Sequence, residues 1–169
     1  MLKLALSFLA LTSFANAEWK YRVSRSYFGA KNALVMSAKV TTSSTADAYK
    51  KIFKELVQYA KDNRIVVGHA FSIIHEYNTK EISFSAGFFT TRKLKDHGDI
   101  KSILVKGTKV ISTVHKGPYT KLADAYKALE EFAKAKKVQV NGAPLEIYLN
   151  SPDKVKPDSL LTQVMFPIK

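Results

Sequence analysis

The chain carries one five-residue sequence twice, and this repeat constrains its fold more than any other feature. The letters ADAYK stand at residues 46–50 and again at 123–127. An alternating β-branched stretch precedes each copy, at 34–42 and 109–117, and a helical period of apolar residues continues behind each copy. Two further strand-like stretches follow in each half: 66–78 and 81–90, then 139–150 and 160–168. The sequence therefore predicts two copies of a strand, helix, strand, strand unit.

This duplication defines the fold class that we expect. It is an α+β fold of two β-α-β-β units, related by a pseudo-twofold axis, with an antiparallel sheet and both helices on one face. The repeats should cover about residues 30–90 and 108–168, and the charged segment 91–107 between them should contain some strand. Because ligand sites favour the junction between subdomains, we expect a central ligand cleft between the repeats.

The N-terminus differs in character from the rest of the chain. Lys3 is followed by an apolar run from Leu4 to Phe14 and then by the small-x-small sequence Ala15-Asn16-Ala17. This pattern predicts a signal peptide over residues 1–17, cleaved before Glu18, which leaves a single domain at 18–169. A retained membrane anchor is disfavoured because the run is shorter than the roughly 20 residues that cross a bilayer. We expect a periplasmic or secreted protein without a transmembrane segment after cleavage.

Composition excludes several kinds of chemistry. The chain has no cysteine, so disulfides, thiolate catalysis and zinc–cysteine sites are ruled out. No phosphate loop, dinucleotide fingerprint or nucleophile elbow is present. The four histidines lack the spacing of a metal site: His69, His75, His97 and His115. We therefore expect neither a metal nor a cofactor.

The chain is strongly basic, with 26 Lys and Arg against 14 Asp and Glu after residue 17, a net charge of +12. Such a charge attracts nucleic acid, anionic lipid or acidic glycans. The basic residues are scattered through the sequence, which favours a solvated surface over a dedicated binding patch. We expect no nucleic-acid partner, and contact with anionic surfaces stays an alternative.

One strand of the second half carries the candidate site. In the run 145–150, Leu145 and Ile147 share one face with Leu149, and Glu146 and Tyr148 share the other. The aliphatic face should seat the helix, so that Glu146 and Tyr148 face the cleft. There a carboxylate beside an aromatic ring suits a cationic ligand. The alternative is an exposed strand on which Glu146 pairs with one of the many lysines.

The first half has diverged at the corresponding positions. If Gly68 is aligned with Gly142, Ser72 corresponds to Glu146 and Ile74 to Tyr148. Only one half therefore supplies the acid. The predicted cleft is asymmetric, with one charged wall and one aliphatic or aromatic wall.

The second half resembles the GyrI-like small-molecule-binding domain, also called the AraC-type effector-binding domain. The matching motifs are H-x-G-x-Y at His115, Gly117 and Tyr119; A-Y-x-x-L at Ala125, Tyr126 and Leu129; G-x-P-x-E-x-Y at Gly142, Pro144, Glu146 and Tyr148; and the closing Pro167 and Ile168. This resemblance implies a cleft for lipophilic, often cationic compounds, with Glu146 as buried counter-charge. Gln163 stands beside Thr162 where the family often has an acid, so the resemblance implies weaker selection for cations.

These observations favour a binding protein over an enzyme. The expected function is to sequester or carry a small lipophilic compound, cationic or neutral, at Glu146, Tyr148, Tyr119, His115, Ser72 and Ile74. A hydrolase of strained electrophilic compounds is one alternative, with Glu146 as general base and Tyr119, His115 or Tyr148 as the second polar group that this mechanism needs. Because the SOUL-type haem-binding fold is similar to this duplicated fold, a haem or porphyrin binder is another, with His69, His75 or His115 as ligand.

Overall fold

A computed structural model describes residues 21–169. The predicted signal peptide and its cleavage site lie outside the described residues. Two helices, α1 (Thr45–Asp62) and α2 (Ala123–Ala135), are accompanied by eight strands. The strands are β1 (Ser24–Phe28), β2 (Lys31–Thr41), β3 (Val67–Tyr77), β4 (Glu81–Thr90), β5 (Lys101–Val105), β6 (Thr108–Lys116), β7 (Leu145–Tyr148) and β8 (Leu161–Ile168).

All eight strands form one antiparallel sheet in the order β1-β6-β8-β7-β3-β4-β2-β5. The equivalent strands of the two halves are β1 and β5, β2 and β6, β3 and β7, and β4 and β8. If each strand is replaced by its equivalent, the same order is obtained in reverse, which confirms the predicted pseudo-twofold relation. The β-α-β-β order occurs in both halves, and each copy has one more strand in front of it. These extra strands are exchanged, because β1 pairs with β6 of the second half and β5 with β2 of the first.

The sheet curls because its two ends are tied together along the chain. Strand β1 lies at one end of the sheet, and only two residues separate it from β2, which lies beside the strand at the other end. The link from β5 to β6 is equally short. The curl brings the ring of Phe28 on β1 to 6.1 Å from the ring of Phe89 on β4. The sheet therefore has a concave inner face and an outer face, which we call the helix face.

Both helices lie on the helix face, as predicted. Helix α1 packs on β2 and β4, and α2 packs on β6 and β8. The pattern that places them is an apolar stripe whose buried members are Ile52, Leu56 and Ala60 in α1, and Ala125, Ala128, Leu129 and Ala133 in α2. The central strands β3 and β7 run between the two helices. A groove with β3 and β7 as its floor therefore separates α1 from α2.

The orientation expected for β7 was wrong in one respect. Leu145 and Ile147 do not seat a helix but pack on the inner face with Phe71 and Met165. The curl explains this, because the inner face needs aliphatic side chains and each helix lies over strands of its own half. Glu146 and Tyr148 therefore lie on the helix face, at the floor of the groove between α1 and α2.

No helix among residues 21–169 is long and apolar enough to cross a bilayer. In the same part of the chain, no group of three or more His, Asp or Glu side chains lies together in a way that would hold a metal ion.

Candidate functional site

The pseudo-twofold axis passes through the centre of the groove. Ser72 on β3 and Glu146 on β7, which correspond in the two repeats, are direct cross-strand partners. Tyr148 lies two residues further along the same face, opposite Ala70. The acid thus stands at the junction of the two halves, where both helices are within reach.

Glu146 is buried and held by neutral donors. Its side chain is only 7% exposed. The Tyr126 hydroxyl of α2 donates to Oε1 at 2.7 Å, and the Tyr148 hydroxyl donates to Oε2 at 2.9 Å. Ser72 Oγ donates to Oε2 at 3.3 Å. No lysine, arginine or histidine of the described chain forms an ion pair with it, so the expected alternative of a surface lysine pair was wrong.

The pKa of Glu146 is raised above its ordinary value, chiefly because burial disfavours the charged form. The bonds from Tyr126, Tyr148 and Ser72 oppose this rise without cancelling it. Burial also raises the pKa of Tyr148 and Tyr126, and the nearby carboxylate adds to both. The site therefore holds one poorly solvated acid that has no counter-charge among the residues that the structure describes.

Aromatic rings surround this acid. The Tyr148 ring forms T-shaped contacts with Phe53 of α1 and with Tyr119, with ring centroids 6.2 Å and 5.5 Å apart. Tyr49 of α1 stacks on Phe84 at 4.2 Å, and its hydroxyl interacts with Ser72 and Tyr148. Tyr119 is 38% exposed and forms the outer edge of the cluster.

Three of these aromatic residues were not expected at the site. Tyr49, Phe53 and Tyr126 belong to the helical period of apolar residues, which by itself does not distinguish a site residue from a core residue. A signal was present, since a tyrosine hydroxyl turned toward a core needs a polar partner. Tyr49 and Tyr126 are the tyrosines of the two ADAYK copies, so the repeated letters place one phenol on each side of Glu146.

The remaining predicted residues lie at different distances from the acid. Ile74 is on the helix face but packs within the cluster under α1. His115 is 2% exposed, and both of its ring nitrogens are engaged: Nδ1 with the Tyr21 hydroxyl at 2.9 Å and Nε2 with the Pro118 carbonyl at 3.2 Å. His115 therefore anchors the chain at Tyr21 and the turn that leads to Tyr119. Gln163 faces the inner side, opposite Ile147.

The groove is closed over the carboxylate in this structure. Two small cavities lie elsewhere, one of about 150 Å³ beside Arg64 and Arg92 and one of about 70 Å³ between Phe28 and Pro167. A ligand that reaches Glu146 must displace aromatic side chains. Tyr119 is the most exposed of the rings that contact Tyr148.

The sequence matches the family model of the GyrI-like small molecule binding domain over residues 24–169. The chain belongs to the GyrI-like family. A search of curated proteins finds no match. The GyrI-like assignment extends the motif-based resemblance from the second half to both halves, including the exchanged strands β1 and β5.

Solved structures share this GyrI-like fold. The C-terminal domain of EcmrR superposes with a TM-score of 0.79 at 19% identity, covering 89% of this chain and 98% of that one. In a complex of EcmrR with DNA the TM-score is also 0.79, at 18% identity, but 88% of this chain spans only 57% of the longer EcmrR chain. A hydrolase from Listeria innocua gives 0.64 at 14% identity, with coverage of 88% and 92%.

A fourth structure, SAV2435 bound to tetraphenylphosphonium, gives a TM-score of 0.58 at 9% identity, with coverage of 88% and 94%. At these identities the likeness shows the fold.

Proposed function

We propose that this GyrI-like domain binds a lipophilic cation in the groove between α1 and α2, with Glu146 as the counter-charge. The observation that carries the proposal is a carboxylate at 7% exposure that has three neutral donors and no cationic partner among residues 21–169. A buried acid without a counter-charge costs stability. A ligand that supplies the missing charge removes that cost.

The aromatic surroundings support a cation over a neutral ligand. Tyr49, Phe53, Tyr119, Tyr126 and Tyr148 place ring faces and edges around the acid, and a cation near such rings gains electrostatic attraction. The large apolar area of these rings suits the lipophilic part of the same ligand. One neighbour in fold, SAV2435, is bound to tetraphenylphosphonium, a compound of this class.

The test is calorimetric titration of the mature protein with tetraphenylphosphonium and with neutral triphenylphosphine oxide. Glu146→Gln should weaken phosphonium binding roughly 30-fold or more, because loss of one partner of a buried charge pair is costly. The matched control is Glu131→Gln, which changes an exposed carboxylate of α2 and should leave affinity unchanged. Equal affinity in wild type and Glu146→Gln, or no binding, would contradict the proposal.

A hydrolase with Glu146 as general base is the second candidate, and the raised pKa of this acid favours it. Against it, both carboxylate oxygens already accept hydrogen bonds from tyrosine or serine. Turnover of an epoxide panel that disappears in Glu146→Gln would establish hydrolysis.

His115 as a haem ligand lacks comparable support, because its ring nitrogens are both engaged.

We also propose that the chain is exported after cleavage before Glu18, on the basis of the tripartite pattern of residues 1–17. N-terminal sequencing of the protein recovered from the periplasmic fraction should begin at Glu18. Recovery of the chain in the cytoplasm with Met1 or Leu2 intact would contradict export.

A further inference from the structure

Thr162 on β8 has an unusual hydroxyl. Its side chain is fully buried, and Oγ1 is the one buried side-chain oxygen or nitrogen of the described residues without a hydrogen-bond partner. A buried polar group without a partner is destabilising, and native proteins retain few of them. Replacement by valine would remove the polar atom at nearly constant shape, so the presence of threonine at this position requires an explanation.

The hydroxyl lies on the same face as the acid. Thr162 pairs with Tyr148 on one side and with His115 on the other. Glu146 pairs with Val164, two residues further along β8, so Thr162 is the diagonal neighbour of Glu146. Such diagonal neighbours lie about 7–8 Å apart.

The pseudo-symmetry shows what the second half has changed. Thr162 corresponds to Phe84 of the first half, because the two residues occupy equivalent places in the cross-strand pairing. Thr162 pairs with His115 and Tyr148, and Phe84 pairs with the corresponding residues Ala38 and Ile74. The first-half row is apolar, and Tyr49 stacks on Phe84 at 4.2 Å. In the second half a small polar residue replaces the phenylalanine, and Tyr126 contacts Phe166 and Glu146 instead.

We propose that Thr162 is a second recognition group of the groove, and that the ligand carries a hydrogen-bonding atom one sheet diagonal away from its cationic centre. This inference rests on the proposed function and narrows its ligand class. A hydroxyl, ether or amide on a short chain from the cation would engage Thr162. A cation with purely hydrocarbon arms would leave Oγ1 without a partner in the complex.

The experiment compares two probes that differ in one group: (4-hydroxybutyl)triphenylphosphonium and pentyltriphenylphosphonium. The ratio of their dissociation constants is measured on wild type, Thr162→Val and Thr162→Ser. In Thr162→Val the affinity for the hydroxybutyl compound should fall about three- to tenfold relative to that for the pentyl compound, which is the effect of one net hydrogen bond. Thr162→Ser keeps the hydroxyl and should keep the wild-type ratio.

A thermal measurement without ligand separates this role from a structural one. Thr113→Val is the matched control, because Thr113 is also a buried threonine but donates to the Arg22 carbonyl at 2.8 Å. Thr113→Val should lower Tm, whereas Thr162→Val should leave it unchanged or raise it. An equal fall in both variants would mean that bound water or protein satisfies Thr162, and the inference would be wrong.

The outcomes separate the two proposals. An unchanged probe ratio in Thr162→Val, with both probes still dependent on Glu146, overturns only the role of Thr162. Failure of both probes to bind wild type overturns the proposed cation function, and the inference falls with it.

Discussion

Three hydroxyl groups donate hydrogen bonds to Glu146, but no cationic side chain among residues 21–169 compensates its charge. Tyr126, Tyr148 and Ser72 can donate to the ionised carboxylate, yet burial dominates and its pKa is raised. In its ionised form the same residue therefore lowers the stability of the folded protein. Sequence alternation located Glu146 and Tyr148 on one face. It did not locate Tyr49 and Tyr126, because a helical stripe does not show which of its members reach a polar group across the groove.

Stability should depend on pH through Glu146. The folded pKa is raised, so the unfolded chain ionises first as pH rises above the ordinary value of 4.5, and wild type loses stability over that range. Glu146→Gln does not ionise and avoids this loss. Its stability advantage over wild type should be larger at pH 7 than at pH 4, as measured by urea unfolding at both pH values. A difference that does not change with pH would contradict the raised pKa.

Binding should depend on pH in the opposite sense. A cation favours the ionised carboxylate, so its affinity should fall as pH is lowered through the raised pKa of Glu146. Titration of tetraphenylphosphonium between pH 8 and pH 5 measures this fall. Glu146→Gln, with any residual affinity, should show no such dependence, and a parallel fall in both proteins would assign the effect to other groups.

At the scale of elements, the strands and helices that follow local patterns were predictable. Strands β2, β3, β4, β6 and β8 and both helices lie where alternation or helical period places them. Strand β1 was missed because its sequence, SRSYF, is short and polar and pairs only with the distant β6. Strand β7 is shorter than predicted, since Gly142 has a φ of 131° and Pro144 cannot donate to a sheet.

Both helices end in the same strained way. Arg64 and Lys137 follow α1 and α2 with φ values of 53° and 52°, in a left-handed conformation that glycine adopts more easily. Arg64→Gly and Lys137→Gly should each stabilise the protein by about 1 kcal/mol in urea unfolding. Lys61→Gly, inside the last turn of α1, is the control and should destabilise by about 1 kcal/mol. Destabilisation by all three would refute the strain.

Gly87 permits the close approach of β4 to β2. A Cβ at this position would lie 2.8 Å from the carbonyl carbon of Leu34 and 2.9 Å from the Cα of Val35, and backbone cannot move aside as a side chain can. Gly87→Ala should therefore destabilise the fold by about 2–3 kcal/mol. Gly68→Ala is the control, because its Cβ would meet only ordinary contacts at 3.6 Å. Similar unfolding midpoints for both variants would contradict this assignment.

At the scale of the molecule, the candidate site combines residues of both repeats, and neither half contains all of them. The first half supplies Ser72, Tyr49 and Phe53, and the second supplies Glu146 and Tyr148. Each half also lacks an edge strand that only the other provides. Repeat detection predicted the two units but could not predict the exchange, because the exchanged strands match each other in position more than in sequence.

The halves should therefore depend on each other for folding. Residues 21–95 expressed alone should not give a folded monomer, because β2 lacks β5 and β3 lacks β7. Co-expression with residues 96–169 should restore a 1:1 complex, as measured by light scattering. The complex should have the circular dichroism spectrum of the intact protein. Cooperative unfolding of either half as a monomer would show that the exchanged strands are dispensable.

The pairing of strands between the two halves also bears on how the chain folds. Ser24 on β1 pairs with Ser112 on β6, and β3 pairs with β7. Much of the sheet therefore depends on contacts between residues that are far apart in the chain. Closing such long loops before their contacts form is entropically costly and slows folding. Until the second half of the chain is available, the outer edges of β2 and β3 have no partner strand. Because open edges invite intermolecular pairing, the newly made protein is most prone to aggregate before its second half arrives.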